Sequence, residues 1–532
     1  ILIFTNKLFW IGYIISLIFR LILIFLNNFE LFFLFTLGII LYFWYIFIYL
    51  ISRSGCDLIL SKSPLKPYIK IKDPIIQEGY SEVFKWLEIN LNAPKGNLKH
   101  RWAIPAAIFM SCYLWDSAFI SLVWKYWDQN IASEILLPLL DNQTEDGRIP
   151  HFVSFSHKSE KIQPPLIAWA ISNLKVSNEY LKNAYSKLKK FNEWLYRNRR
   201  LKNGLFFWEH SYESGIDNSP RFTDRSERNK KDLTRLAVID LNSFMVLQNK
   251  SLIKIARELQ KQDNKDNYET DIAEFHQKNE ELVELIQKYL WDEETGLYLD
   301  YDIVDEKRIV INTIASFFPL IAEIPTENQA KRLIKHLESP YEYNTKIPLP
   351  SVALNDNYFE KDMWRGPVWI NTAYLVIKGL EKYQRYKLSG EFAFRIIQGV
   401  FETWKNEGSF YEYYNPERYD LKELTRKKGN FYKQLTLGRK PVKNFVGWTG
   451  LVNSLLVESV IGYDLFENTI QPRLPEELKG KKIVLGFPSY SSEIELSYEN
   501  EKNISIALID LKSKNKEIIK KCSLYQKISL NS

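Results

Sequence analysis

The sequence is poor in cysteine, and its charges are close to balanced. It has 532 residues and only three cysteines, at positions 56, 112 and 522, with no C-x-x-C pair. A disulfide framework or a structural zinc site is therefore not expected. A net charge of +7 is small for this length and does not indicate a nucleic-acid-binding protein. Glycine and proline, at 21 residues each, are too few for a collagen-like or low-complexity chain.

Several common catalytic patterns are also missing. No G-x-G-x-x-G, Walker loop, H-E-x-x-H or G-x-S-x-G occurs in a suitable context, which argues against dinucleotide, P-loop and common zinc-protease functions. In contrast, 15% of the residues are aromatic and 46% are hydrophobic. This composition predicts a large folded core and excludes bulk disorder.

Long apolar runs are confined to the amino terminus, at residues 8–26 and 31–51. Each is about the 20 residues that a helix needs to cross a bilayer. Residues 1–52 are therefore predicted to hold one or two transmembrane helices that anchor the protein to a membrane; a buried core hairpin is the alternative. With Lys7 and Arg53 flanking the runs, two crossings would place the large domain on the cytoplasmic side.

The remaining chain divides into a linker, a helical region and a short β-rich region. Residues 53–75 contain Ser, Gly, Lys and Pro and are predicted to be a linker. Apolar residues then recur at helical spacing, as at 181–195 and 272–290, and predict amphipathic helices through residues 76–465. Residues 466–532 contain alternating and β-branched segments, which predict a small antiparallel β appendage.

Four connections share a glycine that is followed by aromatic or aliphatic residues. They begin at Gly147, Gly204, Gly296 and Gly408. Each is predicted to turn the chain into a short extended segment, although ordinary helix capping explains any one of them alone. Their recurrence favours a ring of helical hairpins whose loops gather at one end.

A loop at residues 212–222 concentrates charged groups. Its sequence, Tyr-Glu-Ser-Gly-Ile-Asp-Asn-Ser-Pro-Arg-Phe, is marked as non-helical by Gly, Asn and Pro. It carries Glu213, Asp217 and Arg221. A carboxylate among aromatic residues loses solvation, which favours the protonated form that a general acid requires. The alternative for Asp217 is a helix cap or an Asx-turn.

A second carboxylate lies within an aromatic run. Glu412 is the only charged residue in Phe-Tyr-Glu-Tyr-Tyr-Asn-Pro at 410–416. In an extended chain, Phe410, Glu412 and Tyr414 would share one face. Such a glutamate either lines a polar cleft or forms a buried ion pair, for which Arg365 is a candidate partner.

Tryptophans accompany polar residues at the predicted starts of several helices. Flat aromatic surfaces beside hydrogen-bonding groups suit sugars, which have apolar faces and hydroxyl-rich edges; core packing and helix capping are the alternatives. The complete set of candidate sugar-binding residues is Trp115, Asp116, Gln163, Glu213, Arg221, Trp364, Arg365, Trp369 and Trp448.

Seven segments between about residues 100 and 460 occur in a recognisable order. They are Trp-Asp-Ser-Ala-Phe from 115, Asp-Gly-Arg-Ile-Pro-His from 146, Gln-Pro-Pro-Leu-Ile-Ala-Trp from 163, Glu-Ser-Gly-Ile-Asp-Asn-Ser-Pro-Arg from 213, Trp-Arg-Gly-Pro-Val-Trp-Ile-Asn from 364, Glu-Tyr-Tyr-Asn-Pro from 412 and Gly-Trp-Thr from 447. The set resembles glycoside hydrolase family 63, within it the mannosylglycerate and glucosylglycerate hydrolase-like branch. The resemblance implies a mainly α fold, an (α/α)6 barrel, and an inverting α-glycosidase in which Asp217 matches the general acid and Glu412 the general base.

The chain departs from the family's pattern near the base candidate. Tyr413 follows Glu412 where Asn is common, and Glu-Arg-Tyr follows Pro416 where Thr-Gly is common. Trehalases share the barrel and an E-S-G-x-D loop, but this chain lacks their P-G-G-R-F and Q-W-D-x-P-N-G-W segments. A trehalase-type α-glucosidase is therefore the second candidate, and a non-catalytic, membrane-tethered sugar-binding protein is the third.

The implied reaction is a single displacement that releases an α-linked glucosyl or mannosyl group. Asp217 would protonate the departing oxygen while Glu412 activates water on the opposite face of the sugar, with the carboxyl groups roughly 6.5–9.5 Å apart. This chemistry requires no metal or organic cofactor. The expected partners are a carbohydrate substrate and the membrane, with no nucleic acid.

Overall fold

The computed structural model describes residues 39, 65–223, 233–262, 268–427, 435–513 and 516–530. The predicted transmembrane runs at 8–26 and 31–51 lie outside these residues, apart from Ile39. Within the described ranges, no helix combines the length and the apolar character needed to span a bilayer. Residues 62–532 form one compact unit.

This unit is mainly helical, as predicted. Its α-helices are α1 (Pro74–Ile89), α2 (Leu114–Trp124), α3 (Gln129–Glu134), α4 (Leu137–Asp141), α5 (Ile167–Ile171), α6 (Asn178–Asn198), α7 (Pro220–Thr223), α8 (Ile239–Gln262), α9 (Glu269–Tyr289), α10 (Glu327–Glu338), α11 (Ile370–Lys382), α12 (Tyr386–Glu407) and α13 (Leu451–Leu455). Short 3-10 helices occupy Ser211–Ser214, Ile314–Leu320, Met363–Arg365, Glu476–Leu478 and Pro488–Tyr490, and a π-helical stretch, Leu456–Ile461, continues α13.

Six helical elements form a closed ring. Helix α2 packs against α5, α5 against α8, α8 against the 3-10 helix Ile314–Leu320, that helix against α11, α11 against α13, and α13 against α2. Helices α6 and α9 flank α8, and α12 flanks α11. Every residue of α2 is buried, whereas α6 buries a stripe and exposes its other face. Helix α2 is therefore enclosed on all sides within the ring, and amphipathic helices such as α6 cover it.

Local capping explains where several helices begin. At the start of α10, the Thr326 hydroxyl accepts from the Gln329 N–H, and the Gln329 side chain accepts from the Thr326 N–H. Asp73 caps α1 through a hydrogen bond from a backbone N–H at 3.1 Å. The helices predicted at 181–195 and 272–290 are confirmed as α6 and α9.

A five-stranded antiparallel sheet forms most of the β-rich region, in the order β1-β13-β14-β15-β16. Its strands are β1 (Tyr68–Lys70), β13 (Lys482–Phe487), β14 (Ser492–Asn500), β15 (Asn503–Asp510) and β16 (Lys516–Cys522). The predicted strands β13 to β15 are confirmed. Strand β1 lies within the predicted linker and pairs Tyr68 with Gly486. Three residues are too few to produce a strand-like sequence pattern.

Short strands connect the helices. They are β2 (Leu91–Asn92), β3 (Trp102–Ala103), β4 (Cys112–Tyr113), β5 (Phe152–Val153), β6 (Leu236–Ala237), β7 (Trp291–Asp292), β8 (Leu297–Tyr298), β9 (Asp300–Asp302), β10 (Lys307–Ile309), β11 (Tyr463–Asp464), β12 (Thr469–Ile470) and β17 (Ile528–Ser529). Strands β5 and β8 follow Gly147 and Gly296, and single bridges at Phe206 and Tyr411 follow Gly204 and Gly408. The predicted turn into extended chain is confirmed at all four glycines.

Candidate active site

Several predicted site residues lie at the amino-terminal ends of ring elements. Trp115 is in the first turn of α2, Gln163 lies shortly before α5, Trp364 precedes α11, and Trp448 precedes α13. The connections that carry these residues therefore lie on one side of the ring. Contacts between them define the candidate active site.

The loop that carries Asp217 is held against Trp115. The 3-10 helix Ser211–Ser214 ends at Gly215, whose φ is +74°. A β-carbon at Gly215 would lie 2.4 Å from Cζ2 of Trp115, so a side chain at this position has no room. Trp115 is fixed in turn, because its backbone N–H donates to Oε1 of Gln163 at 3.2 Å. The glycine thus allows the loop that carries the half-buried Asp217 to lie against the indole of Trp115.

Glu213 anchors the same loop. Its buried carboxylate accepts hydrogen bonds from the Arg199 guanidinium at 2.8 and 3.1 Å. The backbone N–H groups of Ile162 and Glu209 donate to it at 3.3 and 3.0 Å. These four donors occupy the carboxylate, so Glu213 positions the loop. A sugar contact, which the sequence analysis predicts for Glu213, would require one of these bonds to be replaced.

Hydrogen bonds join the Asp217 loop to two other loops. Nδ2 of Asn218 donates to Oδ2 of Asp362 at 3.1 Å. Oδ1 of Asp362 accepts from the Thr425 hydroxyl at 2.7 Å and from the backbone N–H of Lys427 at 2.6 Å. The residue next to Asp217 is therefore tied to the segment that contains Thr425 and Lys427.

Glu412 is buried, with only 5% of its surface exposed, and is ion-paired. Its Oε2 accepts from Nη2 of Arg426 and from a backbone N–H at 3.4 Å. Its carbonyl oxygen accepts from the indole N–H of Trp448 at 2.8 Å. Arg365 instead pairs with Glu360 at 3.1 Å, so the predicted pairing of Arg365 with Glu412 is wrong. Arg426 supplies the cation because the chain folds back after Glu412 and places Arg426, 14 residues later, beside its carboxylate.

Arg426 connects the two candidate catalytic carboxylates. Its buried guanidinium donates to Glu412 and interacts electrostatically with Asp217. Burial alone would lower the pKa of Arg426, but Glu412, Tyr413 and Asp217 together raise it, so the guanidinium stays charged. Arg426 therefore pairs directly with Glu412 and also lies within electrostatic range of Asp217, although the two carboxylates are far apart in the sequence.

Asp217 also affects the pKa values of two aromatic side chains that precede it in the sequence, Tyr212 and His210. Burial and the charge of Asp217 raise the pKa of Tyr212 to about 12, so the phenol stays protonated. Burial and Lys161 lower the pKa of His210, while Glu213 and Asp217 oppose that shift. Tyr212 and His210, both within electrostatic range of Asp217, are therefore uncharged at neutral pH.

The four predicted tryptophans form one buried cluster. Trp364 and Trp369 stack with ring centroids 3.6 Å apart. Trp448 lies 5.6 Å from Trp369 and 5.9 Å from Trp115, and Trp115 lies 6.2 Å from Trp364. Asp116 is buried beside this cluster in the first turn of α2. The cluster gives the loops of the site a rigid aromatic support.

Arg221 lies in a separate buried ion network. Its Nη1 donates to both oxygens of Asp300 at 2.8 and 3.0 Å, and its Nη2 donates to Asp240 at 2.6 Å. Burial raises the pKa of Asp300, and Asp240 adds to this, although Arg221 opposes it. Both terminal nitrogens of Arg221 are engaged, so its observed contacts fix the start of α8 and do not reach Asp217.

A family model of the mannosylglycerate hydrolase MGH1-like glycoside hydrolase domain matches residues 111–431. The chain belongs to this family. The match includes Asp217, Glu412 and Arg426 within its bounds, and it confirms the prediction that the protein is a glycoside hydrolase. This family and its relatives are inverting glycosidases, which confirms the prediction from the sequence.

Two curated relatives cover most of this glycoside hydrolase. A mannosylglycerate hydrolase from Thermus thermophilus is 29% identical over 399 residues, which are 60% of this chain and 92% of the relative. One from Rubrobacter radiotolerans is 26% identical over 433 residues, 65% of this chain and 92% of the relative. The crystal structure of a GH63 mannosylglycerate hydrolase from Thermus thermophilus in complex with glucose is 25% identical, with a TM-score of 0.57 over 70% of this chain and 98% of that one.

Sequence reasoning on this glycoside hydrolase missed Arg426 and Asp362. Arg426 begins the run Arg-Lys-Lys, which has the appearance of a solvated charge cluster. The signal that could have found it is the aromatic run around Glu412, because a glutamate buried there needs a cation. Asp362 lies two residues before the segment that begins at Trp364, and its role depends on loops that meet only in the folded chain.

Metal ligands are not grouped in the described part of this glycoside hydrolase. No set of three or more His, Cys, Asp or Glu residues there is arranged to hold a metal ion. Cys112 and Cys522 are buried free thiols. Burial raises the pKa of Cys112 to about 12, which makes it unreactive as a thiolate.

Proposed function

We propose that this glycoside hydrolase releases an α-linked glucosyl or mannosyl group from a small glycoside, with Asp217 as the general acid and Glu412 as the general base. The observation that best supports the pair is the buried Arg426 guanidinium, which pairs with Glu412 and lies within electrostatic range of Asp217. The names of the Thermus and Rubrobacter relatives make mannosylglycerate the first substrate to test.

In the proposed reaction, protonated Asp217 gives its proton to the glycosidic oxygen as the bond from that oxygen to the anomeric carbon breaks. Water attacks the same carbon from the opposite face and passes a proton to ionised Glu412, so the anomeric configuration inverts. Oε2 of Glu412 is occupied by Arg426 and the Val442 N–H. No hydrogen bond from a described residue reaches Oε1, which leaves that oxygen to accept the proton of the water.

The test compares wild-type enzyme with Asp217→Asn and Glu412→Gln variants on α-mannosylglycerate, α-glucosylglycerate, trehalose and short α-glucans. Proton NMR of the first product identifies the anomer, and the β-anomer is expected. Each variant should lose roughly 10²–10⁴-fold in rate, the usual contribution of a general acid or base. The exposed Glu338→Gln is the matched control and should keep full activity.

Substrates with an activated leaving group separate the two roles. An α-glycosyl fluoride needs little protonation, so Asp217→Asn should recover much of its lost rate on it, whereas Glu412→Gln should not. Equal losses on both substrate types would contradict the assignment. Sugar binding by the wild type without turnover of any substrate would favour the sugar-binding function.

We also propose that the six-element ring is the inner layer of the (α/α)6 barrel that the resemblance implies, with residues 76–465 as the catalytic domain and 466–532 as the β appendage. The order of packing around the ring and the amphipathic helices that cover it support this. Trp115, Trp364 and Trp448, which lie at the amino-terminal ends of ring elements, would then be at the opening of the barrel.

We propose further that the apolar runs at 8–26 and 31–51 attach the enzyme to a membrane. Their length supports this, and Lys7 and Arg53 favour a cytoplasmic catalytic domain if both runs cross. The full chain should stay with membranes after carbonate extraction, whereas a chain that starts at residue 65 should be released. Release of both would contradict the anchor without affecting the proposed reaction.

A further inference from the structure

A cavity of about 1080 Å³ lies at the carboxyl ends of the ring elements. It is lined by Lys125 at the end of α2 and by residues 171–176 at and after the end of α5. Further along the chain it is lined by Lys378, Glu381 and Lys382 of α11, and by Glu458 and residues 462–465 after α13. The candidate catalytic residues lie in loops at the other ends of these elements, and neither of them lines the cavity. It is therefore a concave site separate from the candidate catalytic residues, within the same helical unit.

The cavity is strongly cationic. Among the described residues that line it are ten lysines and arginines and six aspartates and glutamates. Helix α8 contributes Lys250, Lys254, Arg257 and Lys261, which lie on one face because they are spaced by three, four and seven residues. A concave surface with an excess of one sign of charge focuses its electrostatic potential.

Some of these cations have structural partners. Lys125 and Lys378 contact Glu458 at 2.9 and 3.3 Å. Lys250 donates to a backbone carbonyl at 2.7 Å, and the negative ends of the helices attract further cations. These contacts explain part of the positive charge of the cavity without any ligand, so a ligand would be bound by the cations that lack such contacts.

Lys254 is a lysine of the cavity lining without such a contact. It makes no hydrogen bond or ion pair with any residue that the structure describes, and its side chain is accessible within the cavity. Partial desolvation by the cavity walls lowers the pKa of Lys254, and Lys382, Lys125 and Lys175 lower it further, against a weaker effect of Asp464. An ammonium group surrounded by others of its charge is stabilised by an added anion.

We propose that this cavity binds a small, multiply charged phosphate compound, with Lys254 as its central contact. Lysine ammonium groups bind phosphate as compact point charges, and several can share one anion. The volume is that of a small-molecule site. Rings of Trp169 and Tyr374 line the same cavity and would pack against an organic portion of the ligand.

The experiment measures binding of tripolyphosphate and of inorganic phosphate to the full protein by isothermal titration calorimetry. Lys254→Gln removes the central charge without breaking any observed bond, and Lys331→Gln removes an exposed lysine on α10 as the matched control. Tripolyphosphate should bind the wild type at one site, and Lys254→Gln should weaken it at least about tenfold, as expected for loss of one charged contact. Lys331→Gln should stay within about twofold and Lys254→Arg should retain binding.

Binding that is absent from the wild type, or equally weakened by Lys254→Gln and Lys331→Gln, would overturn the proposal. A vesicle of phosphatidylcholine and phosphatidic acid separates free phosphate from a lipid headgroup. Lys254-dependent binding to the vesicle without binding of tripolyphosphate would overturn a soluble ligand. Calorimetry requires no turnover, so its outcome is independent of whether Asp217 and Glu412 are catalytic.

Discussion

Arg426 provides the positive charge on which the candidate active site depends. A buried carboxylate is costly unless a cation and hydrogen bonds compensate it. Glu412 obtains that compensation at one oxygen, and the same guanidinium acts on Asp217. A single side chain therefore links the stability of the buried glutamate to the electrostatics of both carboxylates.

Replacing Arg426 by Gln should reduce both stability and activity. Glu412 would remain buried without its cation, and loss of one member of a buried pair costs about 3–5 kcal/mol. Chemical denaturation measures the free energy of unfolding, and the glycosidase assay measures activity. Arg418→Gln breaks an exposed pair with Asp420 and should change neither. Equal effects of the two substitutions would argue against a special role for Arg426.

Gly215 offers a second prediction at the level of one residue, because it combines a positive φ with contact to Trp115. Gly215→Ala should cost both the left-handed backbone strain and the collision with the indole, roughly 2–4 kcal/mol together. Gly408 has almost the same φ, +72°, but a β-carbon there would meet nothing within 4 Å. Gly408→Ala should therefore cost only about 1 kcal/mol.

Thermal unfolding measures the stability lost by each alanine variant. Because both variants carry the backbone strain, the difference between their losses is the cost of the collision with Trp115. Gly215→Ala should also lower activity, because the Asp217 loop must move away from Trp115. If both variants lose the same stability, the close approach of Gly215 to the ring contributes nothing.

Among the elements, the π-helical stretch after α13 is joined to α2 and α11 through one buried carboxylate. Oε1 of Glu458 accepts from Tyr126 at 2.6 Å, and Oε2 accepts from Tyr374 at 2.6 Å. Lys125 and Lys378 add ion pairs at 2.9 and 3.3 Å. Burial alone would raise the pKa of Glu458, but the two lysines hold it well below its ordinary value.

This lowered pKa predicts how stability changes in acid. The unfolded chain takes up a proton at Glu458 near pH 4.5, whereas the folded protein resists it. The contribution to stability is therefore complete above about pH 5 and is lost progressively below it. Glu458→Gln should be less stable at pH 7 yet lose less stability between about pH 5 and 3. Denaturation at several pH values measures this, and parallel curves for variant and wild type would contradict it.

For the whole molecule, the short β1 strand protects an edge of the sheet. It covers β13, whose backbone groups would otherwise be open to another chain. A chain that starts at residue 73 should therefore unfold at a lower temperature and aggregate more than one that starts at residue 65. Light scattering during heating distinguishes them, and identical behaviour would show that β1 adds no protection.

The sequence predicted those parts of the molecule that have a local signature. Helices α6 and α9 show a clear 3.6-residue pattern, and β13 to β15 show alternation. The Asp217 loop and the Glu412 run stand out because charged residues interrupt aromatic surroundings. These signals lie within single segments, so they can be read without knowing how the chain folds.

What the sequence could not predict depends on contacts between distant segments. Arg365 was a reasonable partner for Glu412 by residue type, yet Arg426 holds that position. Glu213 and Arg221 lie in the predicted loop, but their charges are compensated by Arg199 and by Asp240 and Asp300. Only the folded chain determines which of several possible ion pairs forms.

The pairing of β1 with β13 sets an order of events during synthesis on the ribosome. Tyr68–Lys70 leaves the exit tunnel early, whereas Lys482–Phe487 follows after almost the whole helical body. At 5–20 residues per second, the interval is about 20–80 s. The sheet therefore reaches its final width only after translation is nearly complete, and during that interval Tyr68–Lys70 lacks its pairing partner.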